Sequence, residues 1–232
     1  VNPAADLLAR AQVVLLDFDG PICSVFAGYP PVRAVSTMLR ALEAAGFDVD
    51  PEWLNRADPH QLLVEVVTQM PEAVGILEDA LNRSELHAVD SAQITAGVTD
   101  LINQITGRGQ QWGVVSNNSA ESISQFCRRE DFARIPSLIV GRPKGEPHLM
   151  KPDPFTLRHA LEILAVPPRE AVFIGDSVSD IQAGRAAGIP TVGYANKPSK
   201  PRLLDAAQAD VVITSMDELL SHEGDLRSCR RK

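Results

Sequence analysis

The sequence predicts an α/β protein: a doubly wound parallel sheet with helices on both faces, and a small all-helical domain inserted after the first strand. Three observations predict it. Short apolar runs alternate with helical patterns, mainly through the second half of the chain. The runs are apolar on both faces, as strands covered by helices on each side are. The stretch from Ser24 to Ile94 breaks this rhythm, with helical patterns and no convincing strand run.

The first run is Val13 to Leu16. Trp112 to Val115, Ser137 to Val140, Ala171 to Ile174, Thr191 to Tyr194 and Val211 to Ile213 follow. Between them, Asp153-Pro154 offers a helix N-cap followed by proline at the first helical position. Leu157, Leu161 and Leu164 then recur at i, i+4 and i+7 on one apolar face. The next helix ends at Ala187, with Gly188 as C-cap and Pro190 just beyond. This βαβα order implies a Rossmann-like sheet. In the insert, Val32 to Ala45, Pro59 to Gln69 and Pro71 to Val89 read as helices, with Gly46 as a stop signal. The expected division is residues 1–23 and 95–232 for the core and 24–94 for the insert.

The 232 residues suffice for one well-buried core with a smaller inserted domain. With 44% hydrophobic and 22% charged residues, disordered and fibrous classes are excluded. Acidic residues outnumber basic ones, 30 to 22, which argues against a nucleic-acid partner. No apolar run approaches the roughly 20 residues that span a bilayer. The N-terminus lacks the basic-then-apolar pattern of a signal peptide. Cys23, Cys127 and Cys229 are odd in number and fit no zinc spacing, so a reducing cytoplasm is expected. Cys23 reads as a small buried filler. The basic cluster Arg227, Arg230, Arg231 and Lys232 reads as a solvated terminus.

Four short segments carry the chemistry, each just after a strand or strand-like run. Ligands of open α/β sheets bind outside the carboxyl ends of the strands, so the four can converge on one pocket. The first is Asp17-Phe18-Asp19-Gly20-Pro21. Two carboxylates at a strand end need a cation or a proton, and Gly20 permits a turn that brings Asp19 back. Alone, the pair reads more simply as a solvated turn. The second is Ser116, whose hydroxyl can donate to a phosphate oxygen; Asn118 or Ser119 can cap the helix that follows. The third is Lys151 in Lys-Pro-Asp-Pro, a cation held by a rigid turn, with Lys144 as a competitor. The fourth is Gly175-Asp176-Ser177-Val178-Ser179-Asp180, which adds two carboxylates. Asp180 there also suits the positive end of a helix. Together they supply an acidic cradle for Mg²⁺, a hydroxyl and a fixed cation.

With these motifs in this order, the chain resembles the haloacid dehalogenase-like hydrolases from Val13 to about Leu220. The stretch Asp180-Ile-Gln-Ala-Gly-Arg-Ala-Ala-Gly-Ile-Pro resembles their phosphoglycolate phosphatase and β-phosphoglucomutase branch. The resemblance implies that Asp17 is a nucleophile and Asp19 a general acid/base. It implies phosphate binding by Ser116, Asn117 and Lys151. It implies Mg²⁺ held by Asp17, Asp19 (through its backbone carbonyl) and Asp176, with Asp180 a further metal or supporting ligand. The insert resembles that branch's mobile cap, in which Arg33, Arg56 and His60 are candidate substrate contacts or, more simply, solvated surface. Pro21 departs from the usual Thr or Val and implies an altered turn and a stiffer cap hinge. The expected function is a Mg²⁺-dependent phosphatase for a small phosphorylated metabolite, working through an aspartyl-phosphate, as a monomer or homodimer with no membrane partner. The alternatives are a sugar phosphomutase and a non-catalytic phosphoacceptor or binding module.

Overall fold

A computed structural model describes residues 2–130, 132 and 135–220. Cys229 and the basic cluster at the C-terminus lie outside the described residues. Helix α1 (Pro3–Arg10), which no sequence pattern signalled, opens the chain; Asn2 accepts from the backbone N–H groups of Ala4 and Ala5. Strand β1 (Val13–Leu16) follows, buried at every position. A two-residue strand β2 (Cys23–Ser24) leads into helices α2 (Pro31–Ala44), α3 (Pro59–Gln69) and α4 (Val74–Asp90). A second short strand, β3 (Gln93–Ile94), closes this insert. The remainder alternates α5 (Val98–Gly107), β4 (Gln111–Val115), α6 (Ala120–Glu130), β5 (Leu138–Val140), α7 (Phe155–Leu164), β6 (Ala171–Gly175), α8 (Val178–Ala187), β7 (Thr191–Tyr194), α9 (Lys200–Ala206) and β8 (Val211–Ile213).

The main sheet has strand order β5-β4-β1-β6-β7-β8, and every pair is parallel. Leu16 stands opposite Val114 on one side and Ile174 on the other. The carboxyl ends of β1, β4 and β6 are therefore level. The chain winds outward from β1 in both directions, so the crevice of the fold opens there.

Alternate residues of β1 feed two cores. Val14 and Leu16 join a cluster that continues through Phe18 and Phe126 to Leu62, Leu63 and Leu77 of the insert. Val13 and Leu15 join another, with Leu157, Leu161 and Phe173. Apolar packing thus runs without a break from the sheet into the insert.

Where the sequence suggested no strand, β2 and β3 pair antiparallel, Cys23 with Ile94 and Ser24 with Gln93. Two-residue strands are too short to leave a periodic signal. Helix α7 begins one residue later than expected: Pro154 already has helical dihedrals ahead of it, and Asp153 Oδ1 accepts from Phe155 N–H at 2.8 Å. Likewise Pro71 starts a short 3₁₀ turn and α4 begins at Val74. Gly188 ends α8 in the left-handed region at φ +76°, as a C-cap glycine does. Among the described residues no helix is long and apolar enough to cross a membrane.

Candidate active site

Asp17 leaves β1 with its N–H bonded to Ile174 O at 2.8 Å, so the sheet itself aims it into the crevice. The turn after it closes through Ile22 and Cys23 N–H groups, both donating to Phe18 O, and through Gly20 N–H donating to Cys23 O. These donors flank Pro21, so its missing N–H costs the turn no bond. Gly20 sits at φ +111°, and a Cβ there would lie 2.3 Å from Asp176 Cγ. Glycine is required for the β1 loop to touch the β6 loop.

Lys151 reaches this point from the loop before α7. Its Nζ lies 2.8 Å from Asp17 Oδ1, 2.6 Å from Asp180 Oδ1 and 3.1 Å from Val115 O. All three groups are buried. Lys144, the competitor, is exposed. Asp180 spends its other oxygen on the β6 loop: Oδ2 accepts from the N–H of Asp176, the N–H of Ser177 and Ser177 Oγ, at 3.1, 3.0 and 2.6 Å. Asp180 thus holds both the loop and the lysine.

Ser116 is buried, and its Oγ lies 3.3 Å from Asn118 Oδ1 and accepts from Asn118 N–H. Ser119 caps α6, accepting from Ser122 N–H at 3.3 Å. The Asn117 side chain is bonded twice to the backbone of Lys151. Its Nδ2 donates to Lys151 O at 3.1 Å, and its Oδ1 accepts from Lys151 N–H at 2.9 Å. That amide braces the lysine loop.

Asp19 sits on the same rim, but its carboxylate turns to the insert. Oδ1 accepts from Val25 N–H at 2.9 Å. The side chains that converge are those of Asp17, Asp176 and Asp180, with one oxygen of each within 4.8 Å of the others. Asp19 is not among them, which leaves its backbone carbonyl as the donor that the resemblance implies. Two residues invisible in the motifs complete the rim. Lys200 Nζ pairs with Asp176 Oδ2, and Asn196 Nδ2 donates to the same oxygen at 3.1 Å. Neither lies in a patterned segment, so only the approach of β7 and α9 to β6 brings them in.

Charge in this pocket is unbalanced. Burial, and the neighbouring Asp180 and Asp176 carboxylates, push Asp17 up to about 7 despite Lys151. Burial works against the charge of Lys151, but Asp17 and Asp180 outweigh it and hold the ammonium above its ordinary range. Burial raises Asp19 and Asp176 as well, and Asp180 adds to the rise at Asp176. Three converging carboxylates share one buried ammonium and one rim lysine. An all-oxygen donor set with excess negative charge fits a hard divalent cation such as Mg²⁺.

The insert contributes a second buried charge centre. Glu85 on α4 is fully buried and meets Arg142 Nη1 at 2.8 Å, Ser119 N–H at 2.9 Å, Asn118 Nδ2 at 3.3 Å and His60 Nε2 at 3.1 Å. Burial opposes its charge, but Arg142 and His60 prevail and hold it at about 2. A single carboxylate therefore ties the insert to the loop that carries Ser116. Of the candidate insert residues, Arg33 is exposed and stacks over Tyr29, and Arg56 is paired with Glu65 at 2.7 Å. His60 is not simple surface. It lines a cleft of about 390 Å³ that reaches Asn117 and Lys151. Cys23 is buried, and burial pushes its thiol above the ordinary range, as suits a filler.

The class of protein follows from fold and site together. Residues 57–194 match the model of the haloacid dehalogenase-like hydrolases, and the chain belongs to that family. Within it, the chain is 30% identical over 151 residues to a phosphoglycolate phosphatase of Shigella boydii, covering 64% of this chain and 59% of that protein. Against the phosphoglycolate phosphatase of Escherichia coli it spans 48% of the relative's length, about half. It is 26% identical to an N-acetylmuramic acid 6-phosphate phosphatase of Pseudomonas aeruginosa, covering 91% of this chain and 94% of that one. The crystal structure of a predicted phosphatase from Clostridium acetobutylicum shares the fold with a TM-score of 0.68, at 20% identity over 93% of this chain and 98% of that one.

Proposed function

We propose that the protein is a Mg²⁺-dependent phosphatase that hydrolyses a small phosphorylated metabolite through a phosphorylated Asp17. The observation that carries this reading is the Asp17 carboxylate at the end of β1, 2.8 Å from the Lys151 ammonium and clustered with Asp176. Phosphatase relatives and family membership support it.

Asp17 attacks phosphorus in line; the bond to the leaving oxygen breaks and an aspartyl-phosphate forms. Asp19, on the same rim, gives its proton to the leaving oxygen. It then takes a proton from the water that cleaves the acyl phosphate. Its raised pKa suits a group that must both hold and release a proton. Lys151 offsets charge on the transferring oxygens, and the Ser116 hydroxyl donates to them. Asn117 keeps Lys151 in place. Asp17, the Asp19 carbonyl and Asp176, with Asp180 behind them, would hold Mg²⁺, which when bound would lower the repulsion between carboxylate and phosphate. The insert, residues 24–94, acts as the cap that shields these steps from water. Cys23 and Cys127 are buried free thiols, consistent with work in the cytoplasm.

The test is steady release of inorganic phosphate from p-nitrophenyl phosphate with Mg²⁺, abolished by a chelator. Asp17→Asn is expected to be folded and inactive. A clean Asp17→Asn preparation that turns over at the parent rate overturns the assignment.

A further inference from the structure

We propose that Glu85 of α4 is a positioning residue for the phosphate-binding loop: through Arg142, Asn118 and Ser119 it sets where Ser116 and Lys151 meet the transferring phosphoryl group. The proposal rests on the phosphatase reading above and adds a residue that acts without touching substrate.

Ser116, Asn117, Asn118 and Ser119 bridge the end of β4 and the start of α6. Ser116 N–H still reaches the sheet, at Val140 O 3.0 Å away. Beyond it the loop needs other partners for its polar groups. Glu85 supplies them at the far end. Its Oε2 accepts from Ser119 N–H at 2.9 Å, and its Oε1 accepts from Asn118 Nδ2 at 3.3 Å. An ionised carboxylate only accepts, so it faces the donor end of the Asn118 amide. That leaves Asn118 Oδ1 for the Ser116 hydroxyl, 3.3 Å away. Glu85 thus orients the amide that holds the serine.

Arg142 carries the same influence to the lysine. Its Nη1 meets Glu85 Oε1 at 2.8 Å and donates to Asn117 O at 2.9 Å. Its backbone N–H donates to Asn118 O, also at 2.9 Å. Asn117 in turn bonds both backbone groups of Lys151. Only two residues therefore separate Glu85 from the buried ammonium.

The connection is tight. Glu85, Ser116 and Asn118 are buried, and the Arg142 side chain is almost wholly so, which leaves little water to replace a lost bond. A Cβ at Gly141 would lie 2.3 Å from Ala120 N and 2.8 Å from Asn118 O, so the loop after β5 presses directly on the phosphate loop. A carboxylate that merely docked α4 would need one cation. Glu85 instead gathers donors from residues 118, 119 and 142, and among the described residues no other carboxylate bonds loop 116–119. Asp176 and Asp180, on the metal side, take their bonds from other residues.

The experiment compares the full-length parent with Glu85→Gln and with the double change Glu85→Leu and Arg142→Leu. It measures kcat and KM for acetyl phosphate with Mg²⁺, inhibition by inorganic phosphate, Mg²⁺ affinity by calorimetry, and thermal melting. In both variants kcat should fall about 100-fold, as when reacting groups are misplaced by an ångström or so. Inorganic phosphate should bind about tenfold more weakly, whereas Mg²⁺ affinity should change by no more than about threefold. The double variant should melt above Glu85→Ala yet regain none of the lost turnover, because two leucines restore packing without restoring donors or acceptors. A folded variant with the parent's kcat and phosphate affinity would show that Glu85 serves stability alone, and would overturn the proposal. An equal loss of phosphate and Mg²⁺ affinity overturns it too, since that reports general loosening. If the double variant does not fold, Glu85→Gln decides by the same criteria. A parent that releases no phosphate from acetyl phosphate sinks the phosphatase reading, and the inference with it.

Discussion

Glu85 on α4 and Arg142 after β5 form an ion pair almost wholly withdrawn from solvent that joins the helical insert to the sheet, with Nη1 2.8 Å from Oε1. Removing one partner strands the other. Glu85→Ala should cost about 3–5 kcal/mol in urea unfolding, as breaking a buried pair does. The double change Glu85→Leu with Arg142→Leu should cost less than Glu85→Ala. A loss under 1 kcal/mol for Glu85→Ala would show that the pair is hydrated in solution.

Among the described residues, Lys151 is the only cation that touches both Asp17 and Asp180. In Lys151→Met the two carboxylates face each other unrelieved. Turnover should vanish, and the metal-free protein should be destabilised more at pH 8 than at pH 5, because a proton can replace the ammonium at the lower pH. The cost at pH 8 is about 3–5 kcal/mol. Thermal melts at the two pH values check the sign.

Asp17 titrates at about 7 in the fold. Its ordinary value in an unfolded chain is about 3.9. The folded value is raised, so its contribution to stability is present below about pH 4 and is lost as pH climbs to about 7. Asp17→Asn removes that penalty. The metal-free variant should melt higher than the parent at pH 8, and the two should converge near pH 4. The same variant should gain less from Mg²⁺ than the parent does. A variant that melts lower at pH 8 contradicts the sign.

Gly20→Ala places a methyl 2.3 Å from Asp176 Cγ at φ +111°. Backbone strain of this kind costs about 1–3 kcal/mol. The larger effect is on turnover, since shifting Asp176 misplaces the reacting groups; kcat should fall about 100-fold. Calorimetric melts and initial rates separate the two effects.

Lys200 pairs with Oδ2 of Asp176, one of the three carboxylates that converge where a cation would sit. Lys200→Ala should tighten Mg²⁺ binding by about tenfold, measured by calorimetric titration of chelator-stripped protein. Weaker binding would mean that the lysine orients Asp176 for the metal instead of competing with it.

The sheet was legible because buried parallel strands write themselves as unbroken apolar runs, and Val13–Leu16 and Ala171–Ile174 do so. The carboxylates at their ends were legible for the same reason: Asp17 and Asp176 each come immediately after the strand such a run forms. Glu85 was not. It stands in α4 among other charged residues, and only the docking of α4 against Asn118, Ser119 and Arg142 makes it a buried ion. Nor was the part Asn117 plays: its side chain braces Lys151 through contacts that span 34 positions of sequence. His60 read as surface because its partner, Glu85, lies on another helix. Tertiary approach, which leaves no local periodicity, accounts for each miss.

The ribbon of Cys23–Ser24 against Gln93–Ile94 brings the chain's departure from the sheet and its return side by side. The scaffold sees the intervening 68 or so positions as a single hairpin tip, however long they are. Such a neck lets the excursion be swapped or resized while Asp17 and Asp176 keep their places. Selectivity can then diverge over an unaltered reaction centre.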